Sequence, residues 1–391
     1  MRKPTSKKLT CLALSLLMAL GTAQTAVMAA GEDTAATTNT NTKTTLQEIS
    51  ESLSSISYAA YKEQHADAKR GTKSVTIDAT DYVAESTTAT VSVESNYNGK
   101  SGQSLVMQDD GKVTWKVNIP ETGLYAIGID FTSTSEKTNS IERMLYINDK
   151  VPFSEARYLL MKKTWINDYT DGRFEIDSNG NELRPNSHVE HVWSNYEFID
   201  SNGYYANPFE FYLEAGENTI TLESVREPMA IQTITIHPYE DKPVYEDYIS
   251  GKSEATASPI HLDAETPSAT SDYTVYPIYD RKSAITEPQH HTKIMLNTIG
   301  GEKWQKVGQW VEYTFNVESA GLYEMVFRFR QNELSGMYVS RKIYIDGEVP
   351  FEEANYAKFN YGTEWQVAAA GNGADTFQFY LEPGEHTMRL E

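Results

Sequence analysis

The sequence predicts an all-β fold of two tandem antiparallel β-sandwich (jelly-roll-like) domains, preceded by a signal peptide and one short helix. Three observations predict it: an internal repeat, a period-two alternation of apolar residues within the repeated blocks, and turn signals between them. Gly123-Leu124-Tyr125 recurs as Gly321-Leu322-Tyr323, and Val151-Pro152-Phe153 recurs as Val349-Pro350-Phe351, both at a spacing of 198 residues. Phe209-Glu210-Phe211-Tyr212-Leu213-Glu214 matches Phe377-Gln378-Phe379-Tyr380-Leu381-Glu382 at a spacing of 168. The first copy therefore carries about 30 extra residues, within Asp168 to Asn207. Long insertions between matched strands are loops, and loops on rigid sandwiches often carry function.

Each element follows in chain order. Arg2, Lys3, Lys7 and Lys8 precede an apolar stretch from Leu9 to Leu20 and small residues up to Ala30, which predicts a signal peptide over 1–29. That stretch is too short to span a bilayer, and no later one reaches the ~20 apolar residues that spanning needs. The expectation is a secreted bacterial protein held outside the membrane without inserting into it. Cys11, the only cysteine, lies at the front of the apolar stretch rather than at a cleavage site, so lipid anchoring is unsupported and the mature chain forms no disulfide. Residues 30–44 read as a threonine-rich spacer. Thr45-Leu46-Gln47-Glu48 has capping-box spacing, with Leu46, Ile49, Leu53 and Ile56 at helical intervals, predicting an amphipathic helix within 45–70.

A first sandwich is expected over 71–240, a linker over 241–258 and a second sandwich over 259–391. Val113, Trp115, Val117 and Ile119 share one face of a strand, and Tyr125, Ile127, Ile129 and Phe131 share another. Val311, Tyr313, Phe315 and Val317, then Tyr323, Met325, Phe327 and Phe329, repeat the pattern. Asp346-Gly347 signals a hairpin and Pro383-Gly384 a turn. Copy two stops at the point equivalent to Glu223, whereas copy one continues through a loop and a strand containing Ile231, Ile234 and Ile236. The second sandwich is therefore expected to be truncated before its last strand, with further domains following.

Charge and motifs narrow the function. The formal net charge is −21, and about −25 once the basic leader is set aside, a field that repels nucleic acid and anionic lipid. No His has a partner motif: His188 and His191 are three apart but lack a nearby third ligand, which argues against zinc. No G-x-S-x-G or phosphate loop occurs, so catalysis is not expected. Trp115 lies on an inward face and reads as core. Trp165, Trp193, Tyr204 and Tyr205 lie in or beside the insertion, where the strand pattern demands no burial, although Trp165 and Trp193 sealing the insertion against the sandwich fits equally well. Trp304, Tyr338, Tyr361 and Trp365 are loop aromatics of copy two. Arg143 and Arg341 are equivalent and point inward, where a structural salt bridge is expected over a ligand contact.

Phe315-Asn316-Val317 through Ala320-Gly321-Leu322-Tyr323, then Tyr344-Ile345-Asp346-Gly347, then Leu381, Gly384, His386, Met388 and Leu390 resemble family-6 and family-35 carbohydrate-binding modules. Leu213, Gly216, Asn218, Ile220 and Leu222 repeat the last pattern in copy one, and the resemblance covers most of residues 73–391. It implies binding of an oligo- or polysaccharide by loop aromatics. Arg226-Glu227 would fall in a loop that helps line the sugar site in those modules. It also implies a structural calcium at an acidic first-strand motif, which Asp263 and Glu265 fit in copy two; copy one keeps Asp78 but has Thr80 where the second acid should stand. The order of signal, spacer, helix and modules resembles the front of large extracellular solute-binding proteins of Gram-positive sugar ABC transporters, whose permease would be reached through a missing C-terminal domain. An accessory region of a polysaccharide hydrolase and a packing scaffold without ligand are the alternatives.

Overall fold

Alternation sorts the strands of the first copy into two facing antiparallel sheets. Lys112–Ile119, Gly216–Arg226, Ile141–Ile147 and Leu159–Met161 neighbour one another through the central Gly216–Arg226 strand and Ile141–Ile147. In the facing sheet Met229–His237 is central, flanked by Gly123–Ser133 on one side and by Gln103–Met107 and Val75–Asp78 on the other. Trp115, Tyr125, Ile127, Ile129, Leu222 and Ile234 fill the space between, all fully buried. The computed structural model describes residues 56–391. The signal peptide, the spacer and the first part of the expected helix lie outside the described residues.

The repeat motifs have steric reasons. Gly123 and Gly321 lie where the chain entering each module, Lys69 to Gly71 or Ser253 to Ala255, runs against Leu124 or Leu322. A Cβ on Gly123 would come within 2.8 Å of the Gly71 amide nitrogen, and one on Gly321 within 2.5 Å of that of Ala255. Tyr125 and Tyr323 each donate a hydroxyl hydrogen bond to the carbonyl four residues back, Glu121 and Ser319. Phe153 and Phe351 are buried at equivalent core positions. At the predicted hairpin, Asp346 and Gly347 both adopt left-handed backbone, φ 51° and 83°, as a two-residue type I′ turn requires.

The repeat begins earlier than the expected boundaries. The described helix spans only Tyr58–Gln64, capped by Ser57 and ended at His65, so residues 66–70 are not helical. The expected linker 241–258 contains a matching helix, Tyr245–Ile249. Tyr58 and Tyr61 accept the backbone N–H groups of Glu210 and Tyr212 at 2.9 and 2.7 Å. Tyr245 and Tyr248 accept those of Gln378 and Tyr380, both at 2.9 Å. Glu155 and Glu353 accept the N–H of the first tyrosine in each helix. Each module thus opens with a Tyr-x-x-Tyr turn that caps an edge strand and packs its rings on Phe153 or Phe351.

The second copy differs in two ways. Its main sheet runs Ile343–Ile345, Gly384–Leu390, Val311–Val317, Ala269–Thr270, then Thr164–Asn167 and Ser187–Glu190, which belong to copy one. The insertion and the strand just before it therefore form a two-stranded arm that extends the neighbouring sheet, and not a free loop. Its facing strands are short pairs: Val326–Phe329 with Gln366–Ala369, Gly321–Glu324 with Gln378–Leu381, and Tyr338–Arg341 with Ala357–Asn360. Met325, Phe327 and Phe329 are only half-buried, whereas Ile127, Ile129 and Phe131 at the matching positions are buried. Ser57–Glu391, containing both sandwiches, forms one compact unit.

Candidate functional site

At one end of the first sandwich four loops meet through a chain of contacts. Lys163 and Glu227 form an ion pair at 3.1 Å, with side chains 1% and 2% exposed. Lys163 also donates to the carbonyls of Ser135 and Lys137 at 2.9 and 2.8 Å. Arg143, fully buried, donates to the carbonyls of Glu142, Arg226 and Glu227 at 2.8 to 2.9 Å. These bonds hold Glu227 in left-handed backbone, φ 64°, and burial lowers the Arg143 guanidinium to about 10. The salt bridge expected for Arg143 is thus replaced by backbone carbonyls, which satisfy a buried guanidinium without a second buried charge. Glu227 faces inward as an anchor, while Arg226 points out beside Glu142 at 3.8 Å.

The same network reaches Trp193. Glu136 and Ser133 bond the two ring nitrogens of His191, each at 2.9 Å. His188 pairs instead with Asp168 at 2.7 Å, so the two histidines have separate partners. The Trp193 indole N–H donates to the Tyr97 carbonyl at 3.1 Å, and Lys100, paired with Asp130, lies 4.9 Å from the ring centroid. Trp193 precedes the strand Ser194–Glu197, whose first residue pairs with Phe131.

Copy two builds the same arrangement at the same place. Trp365 precedes Gln366–Ala369, whose first residue pairs with Phe329, and the next residue along, Ala370, donates to Met325 as Phe198 does to Ile127. Arg330 lies 5.2 Å from the Trp365 centroid and bonds Asp280 at 2.8 Å; the Trp365 indole N–H donates to Asp280 at 3.1 Å. Burial alone would raise the Asp280 carboxyl, but the Lys282 N–H, the Trp365 indole and Arg330 hold it below its usual value. Each copy therefore presents a half-buried tryptophan whose orientation is fixed by an indole hydrogen bond and a cation paired with an aspartate.

The other aromatics fall elsewhere. Trp165, 6% exposed, packs on Tyr273 of the second module and seals the joint, with almost no surface left for a ligand. Tyr205 packs edge-on against Tyr58, whereas Tyr204 is 84% exposed on a turn held by Asp200. Trp304 donates to the Gln309 carbonyl and lies 3.9 Å beneath Arg341, the partner that replaces the expected salt bridge. Tyr338 is exposed beside Lys358, and the Tyr361 N–H donates to the Met337 carbonyl. Lys100, Asp130, Asp280 and Arg330 were not singled out by sequence: they occupy non-equivalent positions in the two copies, so the repeat that matches Trp193 with Trp365 at a spacing of 172 residues does not point to them.

Among the described residues no group of three or more His, Cys, Asp or Glu side chains is placed to hold a metal ion. Asp78 and Asp263 are exposed, while Glu265 is buried and its carboxyl is pushed up to about 7, first by burial and then by Asp263 and Glu182. No described helix is long and apolar enough to cross a membrane.

No family model matches the sequence, and no curated protein does. Solved structures do. A family 35 carbohydrate-binding module from Clostridium thermocellum is 15% identical, TM-score 0.24, the match covering 43% of this chain and 99% of that one. The C-terminal family 6 module of a marine laminarinase from Zobellia galactanivorans is 14% identical, TM-score 0.22, covering 42% and 99%. A family 26 β-(1,4)-mannanase with a family 35 module from Podospora anserina is 14% identical, TM-score 0.26, and there the match spans 29% of the enzyme and 44% of this chain. At these scores the likeness says nothing of what this chain binds.

Proposed function

We propose that the protein is a non-catalytic, exported carbohydrate-binding protein that engages sugar rings at the Trp193 and Trp365 rims. One observation supports this above the others: two copies of one fold, divergent in their loops, both keep a half-buried tryptophan fixed by a cation and an aspartate at the same rim position. A flat indole face held rigid stacks on a sugar ring at little entropic cost. Lys100 beside the ring and Glu136, which bonds His191 two residues before Trp193, supply a donor and an acceptor for hydroxyls. The acidic surface suits a neutral glycan. A sugar transporter's receptor and the accessory region of a hydrolase share this reading and differ only in the domain joined to the modules.

Affinity electrophoresis against a panel of soluble glycans, followed by calorimetry on the best, tests it. Trp193→Ala and Trp365→Ala should each weaken binding at least tenfold, and the double variant should abolish it, with unchanged circular dichroism. Full retention in the folded double variant would sink the proposal.

A further inference from the structure

The buried carboxylate of Glu227 touches two side chains that could react with each other. Its Oε2 accepts from Lys163 Nζ at 3.1 Å, and its Oε1 accepts from the side-chain amide Nδ2 of Asn139 at 3.4 Å. The same Nζ donates to the carbonyls of Ser135 and Lys137 at 2.9 and 2.8 Å, so the loop that carries Asn139 is wrapped around the amine. The Lys163 and Glu227 side chains are almost wholly shielded from water. A primary amine, a carboxamide and a carboxylate bonded to both thus share one site.

A plain ion pair would need only the lysine and the glutamate. Burial lowers the Lys163 pKa against the pull of Glu227, toward the neutral amine that acts as a nucleophile. Amides resist amines in water, but two groups held side by side in a dry site react as if at very high concentration.

We propose that Lys163 and Asn139 condense into an intramolecular isopeptide bond, with Glu227 moving the protons. Glu227 Oε2 takes a proton from Nζ, and the free amine attacks Cγ of Asn139. The Nζ–Cγ bond forms as the Cγ–Nδ2 bond breaks. Nζ gives up two protons in passing from ammonium to amide; both reach Nδ2 through the Glu227 carboxylate, and Nδ2 leaves as ammonium. Glu227 ends as it began, and the step needs no oxidant. The bond would lock the loop whose Glu136 holds His191, two residues before Trp193. With a single cysteine the chain has no internal disulfide to do this. At the matching positions, 198 residues on, copy two has Met337 and Tyr361, which cannot condense, so the bond belongs to copy one alone.

Tryptic digestion of the folded, intact protein with tandem mass spectrometry tests it. Cleavage after Lys137, Arg143, Lys162 and Arg173 should release a branched peptide joining residues 138–143 to residues 163–173. It should weigh about 17 Da less than its two parts, through loss of ammonia. Asn139→Ala, at an exposed position, and Glu227→Gln should yield only linear peptides, now cut after Lys163. Recovery of the natural protein as those linear peptides would overturn the proposal. So would loss of ammonia at Asn139 without a branch, or a branched peptide that persists in either variant. If Glu227→Gln fails to fold, the natural protein compared with Asn139→Ala decides alone.

Discussion

Glu265 shows how a single residue couples the start of copy two to pH. Its side chain is buried beside Tyr313, and burial with the nearby charges of Asp263 and Glu182 raises its pKa from 4.5 to about 7. A carboxyl whose pKa rises on folding favours the folded state in its neutral form. Its contribution is fully present below pH 4.5 and is lost as pH rises through about 7. The difference amounts to about 3 kcal/mol by the pH where Glu265 is ionised in both states. Glu265→Gln, neutral at every pH, should therefore be more stable than the natural protein at pH 8 and nearly equal to it below pH 5. Urea denaturation across that range checks it, and parallel curves for the two proteins would show that the carboxyl ionises freely in the folded state.

Among the elements, the Tyr-x-x-Tyr turns are the clearest case of a part that sequence reading passed over. Alternation made the strands legible because a half-buried strand must place apolar residues at every second position, and the Asp346-Gly347 turn was legible because it needs left-handed backbone. A helix of five or seven residues has too few positions to show a period, and its function is to offer two phenol oxygens to strand N–H groups. Tyr248→Phe would leave the Tyr380 N–H without its acceptor while keeping the ring on Phe351. The cost should be about 1 to 2 kcal/mol. Tyr61→Phe should cost a similar amount through Tyr212, because the geometry is the same. Equilibrium denaturation of both variants tests this, and no loss in either would mean that water satisfies those amides. The rim was only partly legible: Trp193 and Trp365 stand out as loop aromatics, but the cations and aspartates that orient them lie far away in sequence and come together only through strand register.

At the scale of the molecule, the arm Thr164–Glu190 ties the sandwiches into one unit. Trp165 pairs across to Thr270 and packs on Tyr273, Arg184 lies 3.2 Å from the Tyr276 ring centroid, and the Glu182 N–H donates to the Ile294 carbonyl. Trp165→Ala should cost about 3 to 5 kcal/mol, as for other large buried aromatics. Because the loss falls on the joint, calorimetry should show the second sandwich melting at a lower temperature than the first; a single shifted transition would mean that the joint is not the weak point. The shared sheet also orders events in time. The arm leaves the ribosome about 100 residues before Ala269–Thr270, the strand it must pair with. Until that strand arrives, a nascent copy one carries a two-stranded projection with an open edge, competent to pair with the wrong neighbour. Correct assembly then depends on the second half emerging promptly, and copy one made alone would be the aggregation-prone half of the pair.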